Sequence, residues 1–155
     1  MSQENTNVQI NVLSQFTRDA SFVNQAAKER RQPNGQPTIN VTVNVDPSHL
    51  SETRYEVSLT IHATAVIEEK EIFSMFLDYV GIFDVLEAPK NMIGPMLAIE
   101  CPRLLFPFAR RMIADVTRDG GYPPLMLDPI DFAGLYRQRM QQLQASGGAP
   151  ATEEA

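Results

Sequence analysis

The stretch CPRLLFPFARRMIADVTRDGG, residues 101–121, decides the fold. Most of it has the spacing of an amphipathic helix, with Ala109 and Ile113 on one apolar stripe. Pro102 suits the first turn of a helix, where its missing N–H is no loss. Pro107 falls inside the pattern, where a proline kinks a helix at a cost of about 3 kcal/mol. The stretch therefore predicts a long, proline-kinked helix.

Apolar side chains occupy more than one side of this predicted helix. Leu104, Leu105, Phe106 and Phe108 are spread around its circumference. A helix that is apolar on two sides needs two surfaces to bury against. We expect one surface to be the chain's own sheet and the other to be a second subunit.

Upstream of this helix, apolar and polar residues alternate, as they do in half-buried strands. The pattern predicts strands from residue 8 toward residue 16 and over residues 38–45, 55–67 and 71–83. A short polar connection at residues 68–70 predicts a hairpin, so neighbouring strands are antiparallel and the fold is α+β. Residues 71–83 are apolar on both faces, with Ile72, Phe76 and Val80 on the second, which predicts cover on both faces.

The remaining segments are predicted as connections and one more helix. Residues 17–37 are interpreted as a long polar loop with a helical turn at residues 26–31, and residues 46–48 as the start of a turn. In the loop at residues 122–129, three apolar side chains are expected to be exposed: Leu125, Met126 and Leu127. Asp131 is a suitable N-cap for the last helix. The domain prediction is a disordered segment at residues 1–7, one domain at residues 8–144 and a flexible acidic tail at residues 145–155.

The composition excludes several classes of function. The chain has 155 residues, of which 43% are hydrophobic and 21% charged, and a net charge of -6. This charge disfavours nucleic acid and anionic membranes as main partners. The single cysteine forms no internal disulfide, which fits a reducing compartment. We expect no signal peptide and no membrane span, because no stretch approaches about 20 apolar residues.

The usual catalytic patterns are also missing. Cys101 with His49 or His62 could supply a nucleophile and a base, but a buried structural cysteine is the favoured interpretation. Two histidines and one cysteine at these separations match no usual metal-ligand spacing. There is no Gly-rich phosphate loop and no G-x-S-x-G motif. The prediction is therefore a protein that is not an enzyme and has no catalytic residue, metal or cofactor.

Several motifs occur in a recognisable order. They are FTRDASF at residues 16–22, YEVSLTIHATA at 55–65, GIF at 81–83, CPRLLFPFAR at 101–110 and YPPLMLDPIDFAGLY at 122–136. In this order and at these separations they closely resemble the SecB family of protein-export chaperones. The resemblance covers roughly residues 8–143, and the segment at residues 101–110 is its most specific part.

The resemblance implies a four-stranded antiparallel sheet with two helices packed on one face, the first of them the long one. It implies a bacterial cytoplasmic homotetramer, a dimer of dimers with no cofactor. It also implies an ATP-independent holdase that keeps unfolded precursors translocation-competent for the SecA motor.

Site residues follow from the resemblance by position. The implied client-binding groove is lined by Val41, Val43, Tyr122, Leu125, Tyr136 and Met140. The implied subunit interface contains Leu77, Tyr79, Met96, Cys101 and Leu105. The implied contact with SecA contains Asp19, Ser74, Phe76, Glu153 and Glu154.

The sequence departs from the family's pattern at Val23 and Phe76, where the family usually has acidic residues, and at Arg111, which replaces a common glutamate. These changes weaken the acidic patch that would meet the motor. Two alternatives stay open: a SecB-like chaperone of a toxin–antitoxin pair, and an oligomeric adaptor for one folded partner. A small ligand-binding enzyme is a third, and it would need a closed polar pocket.

Overall fold

The computed structural model describes residues 9–145 and has four antiparallel strands in the order β1-β4-β3-β2, with helices on one face. The predicted α+β class and the four-stranded sheet are confirmed. The strands are β1 (Gln9–Val23), β2 (Thr38–Ser51), β3 (Arg54–Ile67) and β4 (Lys70–Leu86). The helices are α1 (Gln25–Lys28), α2 (Lys90–Pro95), α3 (Cys101–Asp119) and α4 (Phe132–Ala145). The prediction for residues 1–7 lies outside the described residues, as does that of a tail at residues 145–155 except for Ala145, which is the last residue of α4.

The core lies between the sheet and the helices. Leu59 and Ile61 of β3 and Leu77 of β4 point to this side, which we call the helix face, and are fully buried against Leu105 and Ile113 of α3. Burying one such side chain contributes about 1.5–3 kcal/mol. The period-two alternation therefore sets which side of each strand meets the helices.

The first strand is longer than predicted. Residues 17–23 continue β1, so the prediction of a loop over residues 17–37 is wrong in its first third. Two register irregularities, between Val12 and Ser14 and between Thr17 and Asp19, interrupt the alternation from which a strand is recognised. The helical turn expected at residues 26–31 is present as α1, Gln25–Lys28.

The second strand also extends past its predicted end. The turn expected at residues 46–48 is wrong, because β2 continues through Pro47 to Ser51. Within the described residues β2 is an edge strand, paired with β3 alone, and a proline without an N–H is tolerated at such an edge. Ile72 was expected on the face opposite Phe73, but it packs in the same cluster as Phe73. The pairing of β3 with β4 has an irregularity nearby, between Ala65 and Val66, which interrupts the regular alternation of faces.

The long helical region joins α2 to α3 through a π-helical segment, Met96–Glu100. The Cys101 N–H donates to the Met96 carbonyl, five residues back, as the wider π turn requires. α3 continues through Pro107 without interruption, and the bend predicted there stays a prediction. By length and composition alone, Lys90–Asp119 could cross a membrane, but its apolar stripe packs on the sheet.

The last helix begins as predicted. Asp131 Oδ1 accepts the Gly134 N–H at 3.0 Å, and Phe132 is buried. In the preceding loop, Met126 is exposed but Leu127 is buried, so the expected exposure of Leu127 is wrong. This leucine packs into the core cluster that contains Phe132 and Leu105. The loop therefore carries part of the core.

The turn between β3 and β4 is strained and gives a first test. Ile67 pairs with Lys70, so Glu68 and Glu69 form a two-residue turn, and their φ angles are 51° and 67°. Such turns favour Asn-Gly, because side chains disfavour this left-handed region. Changing Glu68→Asn with Glu69→Gly should stabilise the fold by about 1 kcal/mol in chemical denaturation. The matched control, Glu68→Gln with Glu69→Gln, removes the same charges, and an equal gain there would contradict the strain argument.

Candidate functional site

One open cavity lies between β2 and α4. Its volume is about 570 Å³, and its apolar lining includes Val43 of β2 together with Leu135, Tyr136 and Met140 of α4. We call it the helix cavity. Arg139 of α4 reaches the middle of β2 and donates through Nη1 to the Val45 carbonyl at 3.0 Å. This bond ties α4 to β2, an edge strand of the sheet that residues 9–145 form.

A second open cavity lies at the beginning of β2. Its volume is about 700 Å³. Two loops, at residues 33–37 and 121–125, line it together with the ends of β2, β3 and β4. We call it the loop cavity. Its lining is rich in apolar and ring-shaped side chains, which include Ile39, Ile72, Phe73, Tyr122 and Leu125. Phe73 and Tyr122 contact each other with ring centroids 4.8 Å apart. Such a site suits large apolar side chains better than small polar ligands.

The residues expected in one groove are distributed over both cavities. Val43, Tyr136 and Met140 line the helix cavity, whereas Tyr122 and Leu125 line the loop cavity. Val41 lies on β2 between Ile39 and Val43, lines neither cavity and is 42% exposed. Residues 39–43 rise about 13 Å along an extended strand, so one extended segment of polypeptide could span both cavities.

Ile39 and Phe73 are site residues that sequence reasoning missed. Ile39 alternates in phase with Val41 and Val43, so its signal was present in the sequence. Phe73 was expected only as a core residue of β4. Its position in the loop cavity depends on loops that are distant in sequence and could not be read from the strand pattern.

The residues expected to contact SecA lie on the sheet face opposite the helices, which we call the open face. Asp19 of β1 is paired with Asp78 of β4, and Phe76 and Ser74 follow on the same face of β4. Arg18, at the β-bulge in β1, donates to Asp78 Oδ2 at 2.8 Å and to Glu56 Oε2 at 3.0 Å. These hydrogen bonds, to Asp78 first and then to Glu56, raise the pKa of the Arg18 guanidinium. Arg18 thus offsets one of the two negative charges of Asp78 and Glu56. Asp19 stays exposed, and Glu153 and Glu154 lie outside the described residues.

The residues expected at the subunit interface are buried within the single chain. Their exposed fractions lie between 0% and 8%, and the residues are Leu77, Tyr79, Met96, Cys101 and Leu105. Their side chains fill the space between the sheet and the helices. They therefore cannot contact a second subunit directly and can only hold in place the residues that do. The exposed apolar side chains on α3 are Leu104 and Phe108.

The pair of Cys101 with a histidine is not assembled. Cys101 is fully buried in the helix-face core, whereas His62 is exposed on the open face and His49 stacks on Tyr55. Burial raises the pKa of the Cys101 thiol to about 12, so it stays protonated near neutral pH and is a poor nucleophile. Among residues 9–145, no three His, Cys, Asp or Glu side chains are grouped so as to hold a metal ion.

Two open cavities with apolar residues in their lining thus flank one edge strand. Comparison with known proteins gives the family. The family model described as "Preprotein translocase subunit SecB" matches residues 3–143. The chain therefore belongs to the SecB family, a family of protein-export chaperones and not of enzymes.

Individual relatives agree with this assignment. The protein-export protein SecB of Bradyrhizobium diazoefficiens is 51% identical over 141 residues, which cover 90% of this chain and 88% of the relative. That of Parvibaculum lavamentivorans is 49% identical over 142 residues, covering 91% and 84%. Among solved structures, a SecB-like chaperone of Mycobacterium tuberculosis, in complex with a peptide from an antitoxin, has a TM-score of 0.63. Its sequence identity is 14%, and the match covers 78% of this chain and 90% of that one, so it shows a shared fold.

Proposed function

We propose that the chain is a holdase, not an enzyme, that binds unfolded precursor polypeptides in the helix cavity and the loop cavity and keeps them competent for export. The observation that carries this proposal is the pair of open apolar cavities on one edge strand. Unfolded chains expose apolar side chains that folded proteins bury. Selectivity is therefore for the unfolded state rather than for one sequence.

The energetics favour weak binding at each cavity and tight binding overall. Burying one apolar client side chain gains about 1.5–3 kcal/mol. Ordering the flexible client cancels much of this gain. Several cavities on one assembly raise the affinity for a long client, because each later contact is intramolecular. Holding needs no ATP, since release follows from transfer to the next partner.

The assembly that supplies several cavities is proposed to be a homotetramer. Leu104 and Phe108 are 44% and 43% exposed on α3, and Phe16 of the edge strand β1 is 41% exposed. Exposed apolar side chains of this size are a liability on a monomer and are suited to contacts between subunits. The buried interface residues Leu77 and Leu105 would hold α3 in position for that contact.

Charge placed on this helix surface should break the assembly. We expect Leu104→Glu with Phe108→Glu to lower the particle mass in light scattering from about four subunits to about two or one, because an unpaired charge is costly to bury. The fold should persist, since both side chains are exposed in the single chain. Leu50→Glu is the matched control, because Leu50 is 51% exposed at the far end of β2. An unchanged mass for the double variant would exclude this surface as the interface.

Delivery to the SecA motor in the bacterial cytoplasm is proposed to use the open face around Asp19, Ser74 and Phe76, assisted by Glu153 and Glu154. Arg18 already occupies Asp78 and Glu56, so Asp19 is the main free charge of this patch among the described residues. The contact should accordingly rely on apolar burial at Phe76 as well as on charge. The toxin–antitoxin alternative is disfavoured, because relatives near 50% identity are named as export proteins.

The proposal is tested by light scattering on the purified chain, alone and with a chemically unfolded precursor, without nucleotide. A complex with the unfolded precursor and none with the same protein folded would support it. Saturable binding to a native protein, with no binding to the unfolded chain, would replace it by the adaptor alternative.

A further inference from the structure

Asn24 connects three separate elements beside the loop cavity. It follows the last residue of β1 and caps α1, where its Oδ1 accepts the Ala27 N–H at 3.1 Å. The same oxygen accepts the hydroxyl of Tyr122 at 2.7 Å. Its Nδ2 donates to the Gly120 carbonyl, at the end of α3, at 3.0 Å. Because Oδ1 must accept the Ala27 N–H, the orientation of the Asn24 side-chain amide is determined. This one orientation satisfies all three hydrogen bonds.

One partner of Asn24, Tyr122, lies in a wall of the loop cavity. Gly121, Tyr122 and Leu125 belong to the segment that lines it. Thr117 of α3 holds this segment by two hydrogen bonds. The Tyr122 N–H donates to the Thr117 carbonyl, and the Leu125 N–H donates to the Thr117 hydroxyl. Asn24 also holds it, and it does so from the sheet layer, 96–98 residues away in sequence.

The packing at this junction leaves little room for movement. A Cβ atom at Gly120 would lie only 2.4 Å from the Phe22 ring. Phe22 contacts Phe73 with ring centroids 5.5 Å apart, and Phe73 contacts Tyr122. The Tyr122 ring is thus positioned by its tilted contact with Phe73 and by the bond from its hydroxyl to Asn24. The orientation of this ring decides how a second ring from a client can stack in the cavity.

We propose that Asn24 is a positioning residue for client binding: through the Tyr122 hydroxyl it fixes the wall of the loop cavity, and it thereby sets the affinity for aromatic client side chains. This inference rests on the proposed function, since it requires clients to enter the loop cavity. Asn24 touches no client itself. Its effect is expected on clients that use the ring of Tyr122 and not on apolar clients in general.

Two peptides and four variants of the full-length chain test the proposal. The peptides are unstructured and differ only in carrying Phe or Leu at the central position. Asn24→Ala removes all three bonds, whereas Asn24→Asp keeps the acceptor oxygen for Tyr122 and Ala27. Tyr122→Phe removes only the hydroxyl, and the fourth variant combines Asn24→Ala with Tyr122→Phe.

Asn24→Ala and Tyr122→Phe are each expected to weaken binding of the Phe peptide about fivefold, with a smaller change for the Leu peptide. The double variant should be no weaker than either single variant, because both remove the same bond. Asn24→Asp should restore the affinity of the wild type. With 3-fluorotyrosine in the four tyrosine positions, Asn24→Ala should shift the ¹⁹F signal that Tyr122→Phe deletes.

Additive losses in the double variant, or equal losses for both peptides, would overturn the proposal, because they indicate a general effect on the fold. Unchanged affinity of Asn24→Ala while the Tyr122 signal moves would overturn it as well. If the variants give these results while the wild-type chain still binds the unfolded precursor, only the inference about Asn24 fails and the proposed function stands. A wild-type chain that binds neither precursor nor peptide would overturn the proposed function together with this inference.

Discussion

Replacing Gly81 by valine should destabilise the fold by about 3 kcal/mol, because the buried space beside β4 is already filled. A Cβ atom at Gly81 would lie 2.5 Å from the Phe83 ring and 2.9 Å from Leu105 Cδ2. Both of these side chains are fully buried, so neither can move aside. Gly81 of β4 thus lies directly against Leu105 of α3. The variant therefore tests whether the helix lies on the sheet as described.

The measurement is the free energy of unfolding by denaturant. Ser74→Val is the matched control, because it also adds a β-branched side chain to β4, on the open face where Ser74 is only half-buried. We expect this control to remain within about 0.5 kcal/mol of the wild type. A Gly81→Val variant as stable as the control would show that α3 does not pack tightly at this position.

The second large effect is expected in the helix cavity. Tyr136→Asp combined with Met140→Asp should lower the affinity for an unfolded client about a hundredfold, since two apolar contacts are lost and two charges face the client. Tyr136 is half-buried and Met140 is 41% exposed, so the fold should tolerate both changes. Client affinity can be followed by the anisotropy of a labelled, chemically unfolded precursor.

A control with the same change in charge is available on the same helix. Gln141→Asp with Gln144→Asp lies on α4 at exposed positions that do not line the helix cavity. Wild-type affinity is expected for this control. If both double variants weaken binding equally, the loss comes from overall charge, and the assignment of the helix cavity to clients is wrong.

The strands could be predicted wherever the alternation was regular. β3 was placed to within one residue, because its pattern from Tyr55 to Ile67 is unbroken. β1 was cut short, since the bulges near Leu13 and Arg18 shift the pattern by one residue each. β2 was cut short at Pro47, a residue that an edge strand tolerates. Local pattern thus predicted the elements, and tertiary context decided their ends.

The site was less accessible to sequence reasoning than the fold. Val43 and Met140 meet only because α4 folds back over β2, where Arg139 and Val45, 94 residues apart, are bonded. Residue patterns alone could assign each side chain to one face of its strand or helix, but they could not predict that β2 and α4 lie next to each other. The resemblance to SecB supplied that pairing. It could not supply the role of Asn24, whose partners lie in α1, at the end of α3 and in the loop that follows α3.

We expect an unfolded client to cross β2 on the helix face of the sheet, between the two cavities. Val41 and Thr42 are adjacent and exposed, but their side chains point to opposite faces of the sheet. A photo-crosslinker attached to Val41→Cys or Thr42→Cys therefore compares the two faces, and the buried Cys101 thiol, with its pKa near 12, should not be labelled. We predict crosslinks to an unfolded precursor from position 41 and few from position 42. Crosslinks mainly from position 42 would contradict this account.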